Sequence, residues 1–262
     1  MKKTLLNTRN LTVGYCVKRH QLPVLCNLSL QLTEGELVSI LGCNGIGKST
    51  LIRTITGIQP PLSGSVEING VPVTGMSRRL MAETVAIVHT EKTMAGGLSV
   101  RELVGLGRHP YTGFFGRPDS NDLRIINESL DSVGMSHMAD RYVATLSDGE
   151  RQKVMIARAL AQSTPIIILD EPTSFLDVAS RIEIMSLLRD LAHNSGKAIL
   201  LSSHDVTQAL SMSDRLWVIR HDRSVISGQA SQFIDNPDSL NAMFAGRNVT
   251  FDTSLMDFTA KR

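Results

Sequence analysis

Residues 37–50 read LVSILGCNGIGKST, and the helix-like segment LIRTITGI follows directly. The first five residues are apolar or small, which is typical of a buried strand. The next residues match G-x-x-x-x-G-K-S, from Gly42 to Ser49, between a strand and a helix. This arrangement predicts a phosphate-binding loop, because glycine-rich backbone N–H groups and a helix N-terminus together attract an anion.

The phosphate loop (42–50) supplies a complete set of candidate ligands for a nucleotide. The Lys48 ammonium would reach the β and γ phosphates, and the Ser49 hydroxyl would offer a hard oxygen to Mg²⁺. The alternative is a glycine-rich turn with a solvated lysine. For Cys43, a small side chain that fills space is a simpler interpretation than a redox switch. The predicted nucleotide-binding residues are Gly42, Cys43, Asn44, Gly45, Ile46, Gly47, Lys48, Ser49 and Thr50.

The composition is that of a globular chain and excludes several classes of function. The 262 residues are 42% hydrophobic, carry a net charge of +2 and are only 4% aromatic, so nucleic acid is a poor candidate partner. Cys16, Cys26 and Cys43 share no metal-ligand spacing, which favours reduced thiols over zinc. No apolar run approaches the roughly 18 residues of a membrane span, and the opening residues turn polar early. We therefore expect a chain that is by itself soluble and intracellular.

Further apolar runs indicate an α/β fold. Helical spacing in DLRIINESLDSVG and in Ile182, Met185, Leu188 and Leu191 alternates with these runs, which predicts a parallel sheet. Alternation in NLSLQL (27–32) and the Asn69-Gly70 turn predict an antiparallel N-terminal layer. The predicted buried strands are 37–41, 85–88, 166–169, 198–201 and 216–219. The fold class is thus α/β, a phosphate-loop core with a parallel sheet, an antiparallel β layer and an inserted helical subdomain.

The chain is interpreted as one nucleotide-binding domain, 1–262. Its core would comprise about 1–90 and 161–228, interrupted by a helical subdomain at about 91–160. The C-terminal extension, about 229–262, mixes short apolar pairs with polar residues. We expect it to form small helices and a frayed end, and we predict no catalytic or binding residues in it.

Two carboxylates follow the predicted strand 166–169. Asp170 would hold Mg²⁺ through its water shell, and Glu171 would orient the attacking water as general base. The alternative is a pair of helix-start acids. His204 follows the strand 198–201 at the same predicted sheet edge, so a contact with the γ-phosphate is preferred over a capping or core role.

A second anion site is predicted at LSDGE, before the helical segment RQKVMIARALAQ. Ser147 and Glu150 form the S-x-x-E capping box, so a well-capped helix is the simplest interpretation. A free helix N-terminus with a glycine also binds phosphate. One nucleotide cannot easily lie on two such helix ends, but two chains could hold ATP between them.

The sequence LSDGERQ resembles the LSGGQ signature of ATP-binding cassette (ABC) ATPases, and it lies between the phosphate loop and IIILDEP, in the order found in that family. The resemblance covers nearly the whole chain. It implies that Tyr15 stacks on adenine, that Ser147, Asp148, Gly149 and Glu150 contact ATP, and that His204 is the switch histidine. It also implies that the crossing loop (174–177) lies at the interface of a head-to-tail homodimer, which closes on two Mg²⁺-ATP and drives a membrane permease.

Two residues depart from the family pattern. Thr90 stands where the family has a glutamine, and we expect its hydroxyl to face Mg²⁺ through a water. Asp148 replaces the first signature glycine and puts a carboxylate near the expected γ-phosphate. Aspartate also favours helix starts, so we expect its side chain to turn aside.

The segment 105–135 resembles the helical region of cassettes that serve iron-siderophore, haem and cobalamin importers. It would dock a cytoplasmic helix of the permease, with a substrate-binding protein as indirect partner, at the cytoplasmic face of the bacterial inner membrane. A more widely shared fold element is the alternative. Alternatives for the whole chain are an ATPase of another transporter class, a soluble cassette ATPase in cofactor assembly or DNA repair, and a small-molecule kinase.

Overall fold

The computed structural model describes residues 2–18, 20–89, 97–113 and 116–261. The chain divides into two compact units, unit 1 (Met1–Met76 with Arg189–Arg262) and unit 2 (Ser77–Leu188). Within the described ranges, no helix combines the length and the apolar character that a membrane crossing requires.

The strands and helices follow in chain order. The strands are β1 (Thr4–Val17), β2 (His20–Leu28), β3 (Gln31–Thr33), β4 (Leu37–Leu41), β5 (Ser63–Ile68), β6 (Val71–Pro72), β7 (Val85–Val88), β8 (Ile166–Leu169), β9 (Ala198–Ser203), β10 (Arg215–Ile219), β11 (Val225–Gln229), β12 (Val249–Asp252) and β13 (Asp257–Ala260). The helices are α1 (Lys48–Ile55), α2 (Arg78–Thr84), α3 (Val100–Gly105), α4 (Ser120–Ser132), α5 (Asp148–Ala161), α6 (Val178–Ser195), α7 (Val206–Met212), α8 (Ala230–Asp235) and α9 (Asp238–Met243).

Unit 1 contains the predicted antiparallel layer. Strand β1 pairs antiparallel with β2, β3 and β5, and β5 pairs antiparallel with β6. Leu28, Leu30 and Leu32 are all buried, as their alternation predicts. The turn between β5 and β6 places Asn69 and Gly70 at φ 51° and 78°, the left-handed region that this pair tolerates well. The N-terminal antiparallel layer is therefore confirmed.

Unit 1 also contains a parallel core around β4. Strands β9 and β10 pair parallel with β4 on its two sides, and β11 joins β10 antiparallel. Every residue of β4 is buried, as is typical of a central strand of a parallel sheet, whose two faces are both covered. Trp217 of β10 is fully buried, and no acceptor lies within hydrogen-bonding distance of its Nε1 in the part of the chain that the structure describes. The α/β fold class is confirmed.

Unit 2 combines the parallel pair β7 and β8 with helices α3, α4 and α5 packed together. The helical spacing on α4 is correct in part, since Ile126, Leu130 and Val133 are buried but Leu123 is exposed. The buried position at the start of α4 belongs instead to Asp122, which pairs with Arg108. Hydrophobic spacing does not predict that Asp122 is buried, because its burial depends on the ion pair with Arg108.

The C-terminal segment of unit 1 is more ordered than its sequence suggests. Helices α8 and α9 are the expected small helices. The expected frayed end is wrong, because β12 and β13 form an antiparallel hairpin. Phe258 holds it in place with edge-on contacts to Phe244 and Phe251, at centroid distances of 4.6 and 5.3 Å.

Candidate functional site

The phosphate loop starts where β4 ends, and its glycines have the backbone geometry that the motif predicts. Gly45 and Gly47 lie at φ 77° and 126°, where L side chains are rare. A Cβ on Gly47 would also come within 2.7 Å of the Val24 Cγ1 atom. Helix α1 begins at Lys48, the next residue. The glycine-rich loop therefore leads directly into the N-terminus of α1, which is the arrangement that binds phosphate.

Lys48 is buried, and its ammonium lies on the loop. The Nζ atom donates a hydrogen bond of 2.8 Å to the Gly42 carbonyl oxygen, six residues earlier. A buried lysine is costly unless its charge has partners, so this side chain is fixed across the loop. The Ser49 side chain is exposed in the first turn of α1. One cation and one hard oxygen are thus presented at the same helix start.

Tyr15 of β1 is tied to the phosphate-loop helix. Its hydroxyl lies 2.9 Å from the Thr50 Oγ1 atom, in a hydrogen bond between the two hydroxyl groups. The preceding Gly14 allows β1 and β2 to approach closely, because a Cβ there would lie 2.2 Å from the Leu22 carbonyl oxygen. The aromatic ring predicted to bind adenine is therefore positioned beside the loop, and it is partly exposed.

His204 emerges beside the phosphate loop, as the strand pattern predicts. Leu41 and Ser203, the last residues of β4 and β9, are direct partners in the parallel ladder. The loop and His204 therefore begin at the same edge of unit 1. The Asp205 carboxylate caps α7 by accepting a hydrogen bond from the Gln208 N–H. This cap fixes the backbone that carries the exposed histidine.

A contact that sequence reasoning missed joins the phosphate loop to the C-terminal segment. The Cys43 Sγ atom donates a hydrogen bond of 3.3 Å to the Met243 carbonyl oxygen at the end of α9. The Thr207 hydroxyl donates to the Met256 carbonyl oxygen, so the same segment also contacts the helix after His204. Composition gives no signal for such backbone acceptors.

In unit 2, the two carboxylates follow β8. The Asp170 N–H donates to the Val88 carbonyl oxygen at 2.9 Å, which extends the ladder with β7 by one residue. Glu171 lies at φ 48°, a strained conformation for a residue other than glycine. The Ser174 hydroxyl donates to the Glu171 Oε2 atom at 3.0 Å. Glu171 is therefore held by its own turn, and non-glycine strain of this kind is typical of functional positions.

The signature segment (147–150) starts the 14-residue helix α5 with the predicted capping box. The Ser147 hydroxyl accepts from the Glu150 N–H at 3.3 Å and donates to the Glu150 Oε2 atom at 2.9 Å. The Ser147 N–H and hydroxyl lower the pKa of Glu150, with help from the charges of Arg141 and His137. Glu150 is thus a helix cap that stays ionised.

Asp148 is paired within its own helix. Its Oδ1 atom lies 2.9 Å from the Arg151 Nη1 atom, one turn further along α5. Arg151 was not among the predicted site residues, although the three-residue spacing of opposite charges is the signal that could have found it.

The crossing loop ends in a capped helix that touches the signature segment. The Asp177 carboxylate accepts from the Ser180 N–H at 2.8 Å and from the Ser180 hydroxyl at 3.1 Å, and both bonds lower the pKa of Asp177. A Cβ on Gly149 would lie 2.8 Å from the Ser180 Oγ atom. A larger residue at 149 would therefore displace the Ser180 side chain, so glycine favours close packing of α5 against the start of α6 within unit 2.

The candidate Mg²⁺ ligands among the described residues are Ser49 and Asp170. Thr90, the predicted water-mediated ligand, lies outside the described residues. Across ranges 2–18, 20–89, 97–113 and 116–261, no cluster of three or more His, Cys, Asp or Glu side chains could hold a metal ion by itself. Mg²⁺ commonly keeps several waters and binds through substrate phosphates with one or two protein oxygens. The exposed Ser49 hydroxyl and the Asp170 carboxylate are oxygen ligands of the type that Mg²⁺ prefers.

Comparison with known proteins gives consistent matches. A family model described as ABC transporter matches residues 25–174. The achromobactin transport ATP-binding protein of Dickeya dadantii is 35% identical over 232 residues, 88% of this chain and 85% of the relative. The iron(3+)-hydroxamate import ATP-binding protein of Bacillus subtilis is 36% identical over 239 residues, 91% of this chain and 87% of the relative. A dimeric structure of the ATP-binding cassette MJ0796, in a post-hydrolysis state bound to ADP and Pi, is 28% identical, with a TM-score of 0.73 over 86% of this chain and 99% of that chain.

Proposed function

Because this chain belongs to the ABC transporter family of ATP-binding proteins, we propose that it is the ATP-hydrolysing subunit of an importer for metal chelates of the iron-siderophore, haem or cobalamin class. The chain is an ATPase of the cassette type. The cargo class rests on relatives named for achromobactin transport and iron(3+)-hydroxamate import, and on the resemblance of segment 105–135 to the helical region of such cassettes.

The observation that carries the proposal is the geometry of the phosphate loop. Two left-handed glycines, a buried Lys48 on the Gly42 carbonyl and an exposed Ser49 stand at one helix start. When ATP binds, the Lys48 ammonium would exchange this carbonyl for phosphate oxygens. Tyr15 would stack on adenine while its hydroxyl stays near Thr50.

Hydrolysis is assigned to the residues that the family resemblance selects. Ser49 would hold Mg²⁺ directly, and Asp170 would hold it through its water shell. Bound Mg²⁺ supplies charge stabilisation to the transferred phosphoryl group. Glu171 accepts a proton from the attacking water, and His204 contacts the γ-phosphate. The bond between Ser174 and Glu171 supports this assignment, because it orients the carboxylate of the general base.

The active form is a head-to-tail pair of identical chains, with the signature segment of one copy on the nucleotide of the other. The crossing loop supports this assembly, since the Phe175 side chain is 84% exposed at a strained φ of 66°. Val178 and Ile182, which follow on α6, are also exposed. A surface of this apolar character is typical of a protein interface. The structural relative bound to ADP and Pi is a dimer as well.

The permease would dock on the helical part of unit 2. Leu106, Tyr111 and Leu123 within segment 105–135 are exposed apolar side chains, which suit a short amphipathic helix of a partner. The chain would then lie peripherally at the cytoplasmic face of the bacterial inner membrane, and a substrate-binding protein would act on the opposite side of the permease.

The test of hydrolysis is Glu171→Gln in the purified chain with Mg²⁺ and ATP. We expect turnover to fall about 10²–10⁴-fold, the usual contribution of a general base, and an ATP-bound dimer to accumulate in gel filtration. Glu183→Gln is the control, because Glu183 is an exposed partner of Lys153 and should leave turnover unchanged. Unaltered turnover in Glu171→Gln would exclude the role assigned to this carboxylate.

The test of transport is association with a permease whose gene neighbours the gene for this chain. Membranes that contain the permease should retain the chain, whereas membranes without it should not. Leu123→Asp should abolish retention and leave ATP hydrolysis in solution intact. Retention without the permease, or hydrolysis without any permease binding, would contradict the importer assignment.

A further inference from the structure

The signature segment of this chain carries two acids at a helix end that must accept an anion. Asp148 and Glu150 both lie in the first turn of α5. In the proposed dimer, this turn faces the terminal phosphate of ATP bound by the other copy. Helix N-termini attract anions, but carboxylates beside a phosphate repel it. Each acid therefore needs a local partner if the segment is to work.

Glu150 has such a partner in the capping box. Its Oε2 atom accepts from the Ser147 N–H at 2.8 Å and from the Ser147 hydroxyl at 2.9 Å. The nearby Arg141 and His137 add positive charge, consistent with a lowered pKa of Glu150. The Glu150 carboxylate therefore accepts hydrogen bonds from the N-cap residue Ser147, and its charge is compensated locally.

Asp148 is restrained differently, by a side chain one turn further along α5. The Arg151 Nη1 atom lies 2.9 Å from the Asp148 Oδ1 atom. The Arg151 Nη2 atom donates at 3.0 Å to the Leu146 carbonyl oxygen in the chain before the helix. Arg151 thus contacts both the Asp148 carboxylate and the Leu146 carbonyl oxygen. Its side chain is 22% exposed, against 49% for Asp148. The guanidinium therefore bridges these two groups, and it places a positive charge directly on the Asp148 carboxylate.

We propose that Arg151 is a positioning residue that neutralises Asp148 and keeps its carboxylate off the phosphate-binding end of α5, so that the signature segment accepts ATP despite an acid in place of glycine. The inference rests on the proposed function, because the anion is the nucleotide of the second copy. Arg151 acts through Asp148 and is not assigned a contact with ATP.

A double-mutant cycle tests this role. The variants are Arg151→Met, which keeps the aliphatic stem and removes the charge, Asp148→Asn, which keeps the shape and removes the opposing charge, and the two together. The readouts are the ATP concentration for half-maximal dimerisation in the Glu171→Gln background, and kcat/KM for ATP with Glu171 intact.

We expect Arg151→Met to weaken ATP-dependent dimerisation about tenfold, which corresponds to about 1.4 kcal/mol. Adding Asp148→Asn should restore it to within about threefold. The defect of Arg151→Met should also shrink in high salt, because it is a repulsion between partly exposed charges. Arg151→Lys should keep most of the function. Lys153→Met is the matched control on the same helix, since its ion pair with Glu183 involves neither Asp148 nor Glu150.

If the double variant is as weak as Arg151→Met, Arg151 serves ATP or the fold directly and the inference is wrong. The same follows if high salt leaves the defect unchanged while circular dichroism shows a folded protein. If Arg151→Met does not fold, failure of Arg151→Lys to support dimerisation overturns the inference. If the unmodified chain hydrolyses no ATP, the proposed function fails first and the inference falls with it.

Discussion

The buried ion pair of unit 2 gives a prediction whose size can be derived from the contacts. The pair Arg108 and Asp122 is 2.8 Å apart, with side chains only 5% and 7% exposed. Arg108 also donates to the Ala161 carbonyl oxygen at 2.8 Å and to the Ser163 hydroxyl at 2.9 Å, and it lies over the Tyr111 ring. The perturbation is Asp122→Asn, which keeps the shape and leaves the guanidinium fixed in place without its counter-ion.

We expect this change to lower the free energy of unfolding by about 3–5 kcal/mol at neutral pH. Breaking a buried pair leaves an uncompensated charge, and that cost exceeds the net value of the pair itself. The matched control is Glu128→Gln on the same helix. Its partner Arg124 is 2.6 Å away, but both side chains are 59% exposed. Exposed pairs at this spacing contribute about 0.3–0.5 kcal/mol. Asp122 also accepts a hydrogen bond from the Asp119 N–H in the capping box of α4, and an asparagine Oδ1 can still accept one of these two bonds, so burial of the broken pair is the main difference between the two variants.

The pH dependence follows from the pKa of Asp122. Burial raises the pKa of this carboxyl, but the Arg108 hydrogen bond, the Asp119 N–H and the Arg108 charge outweigh burial, so the net pKa is below the usual value. A lowered pKa stabilises the fold fully above the unfolded value of about 3.9, and this contribution is lost as the pH falls below it. The difference between the native chain and Asp122→Asn should therefore shrink below about pH 3.9.

The assay is urea unfolding followed by far-UV circular dichroism at several pH values from 7 towards 3. A cost below about 1 kcal/mol for Asp122→Asn at pH 7 would refute the reasoning. An equal cost for Glu128→Gln would refute it too, since burial would then not be the cause. A difference that grows in acid would show that the pKa of Asp122 is shifted upward.

Two further predictions concern unit 1. Tyr15→Phe removes the bond to Thr50 but keeps the ring, so the Kd for ATP should change less than about threefold, whereas Tyr15→Ala should raise it about tenfold in calorimetric titration; equal effects would contradict stacking. Phe251→Ala deletes a buried ring against Phe258 and should cost about 3–5 kcal/mol in urea unfolding, while exposed Leu255→Ala should stay within about 0.5 kcal/mol; a small loss at 251 would mean that the hairpin adds no stability.

Those parts of the molecule that follow from local patterns could be predicted from the sequence. Strand 37–41, the glycine loop and the turn at Asn69 agree with the structure residue by residue, because backbone sterics and burial act over a few neighbours. The position of His204 beside the loop follows from the rule that parallel strands end at one sheet edge.

The features that the patterns missed depend on partners distant in the chain or on polar burial. Asp122 occupies a buried helix face that hydrophobic spacing assigns to Leu123, because Arg108 compensates its charge. Met243 reaches Cys43 through a backbone carbonyl, 200 residues away, which no side-chain pattern encodes. Arg151 is the intermediate case, since its spacing from Asp148 is visible but its second bond to Leu146 is not.

The single tryptophan of the chain has a practical consequence. Trp217 is fully buried in β10, and unit 2 contains no tryptophan. Fluorescence excited selectively at tryptophan therefore reports on unit 1 alone, while circular dichroism reports on the helices of both units. Coincidence of two such optical signals is a standard test of all-or-none unfolding. Trp217 is thus a natural fluorophore that can show, without labelling, whether the two units unfold together or in sequence.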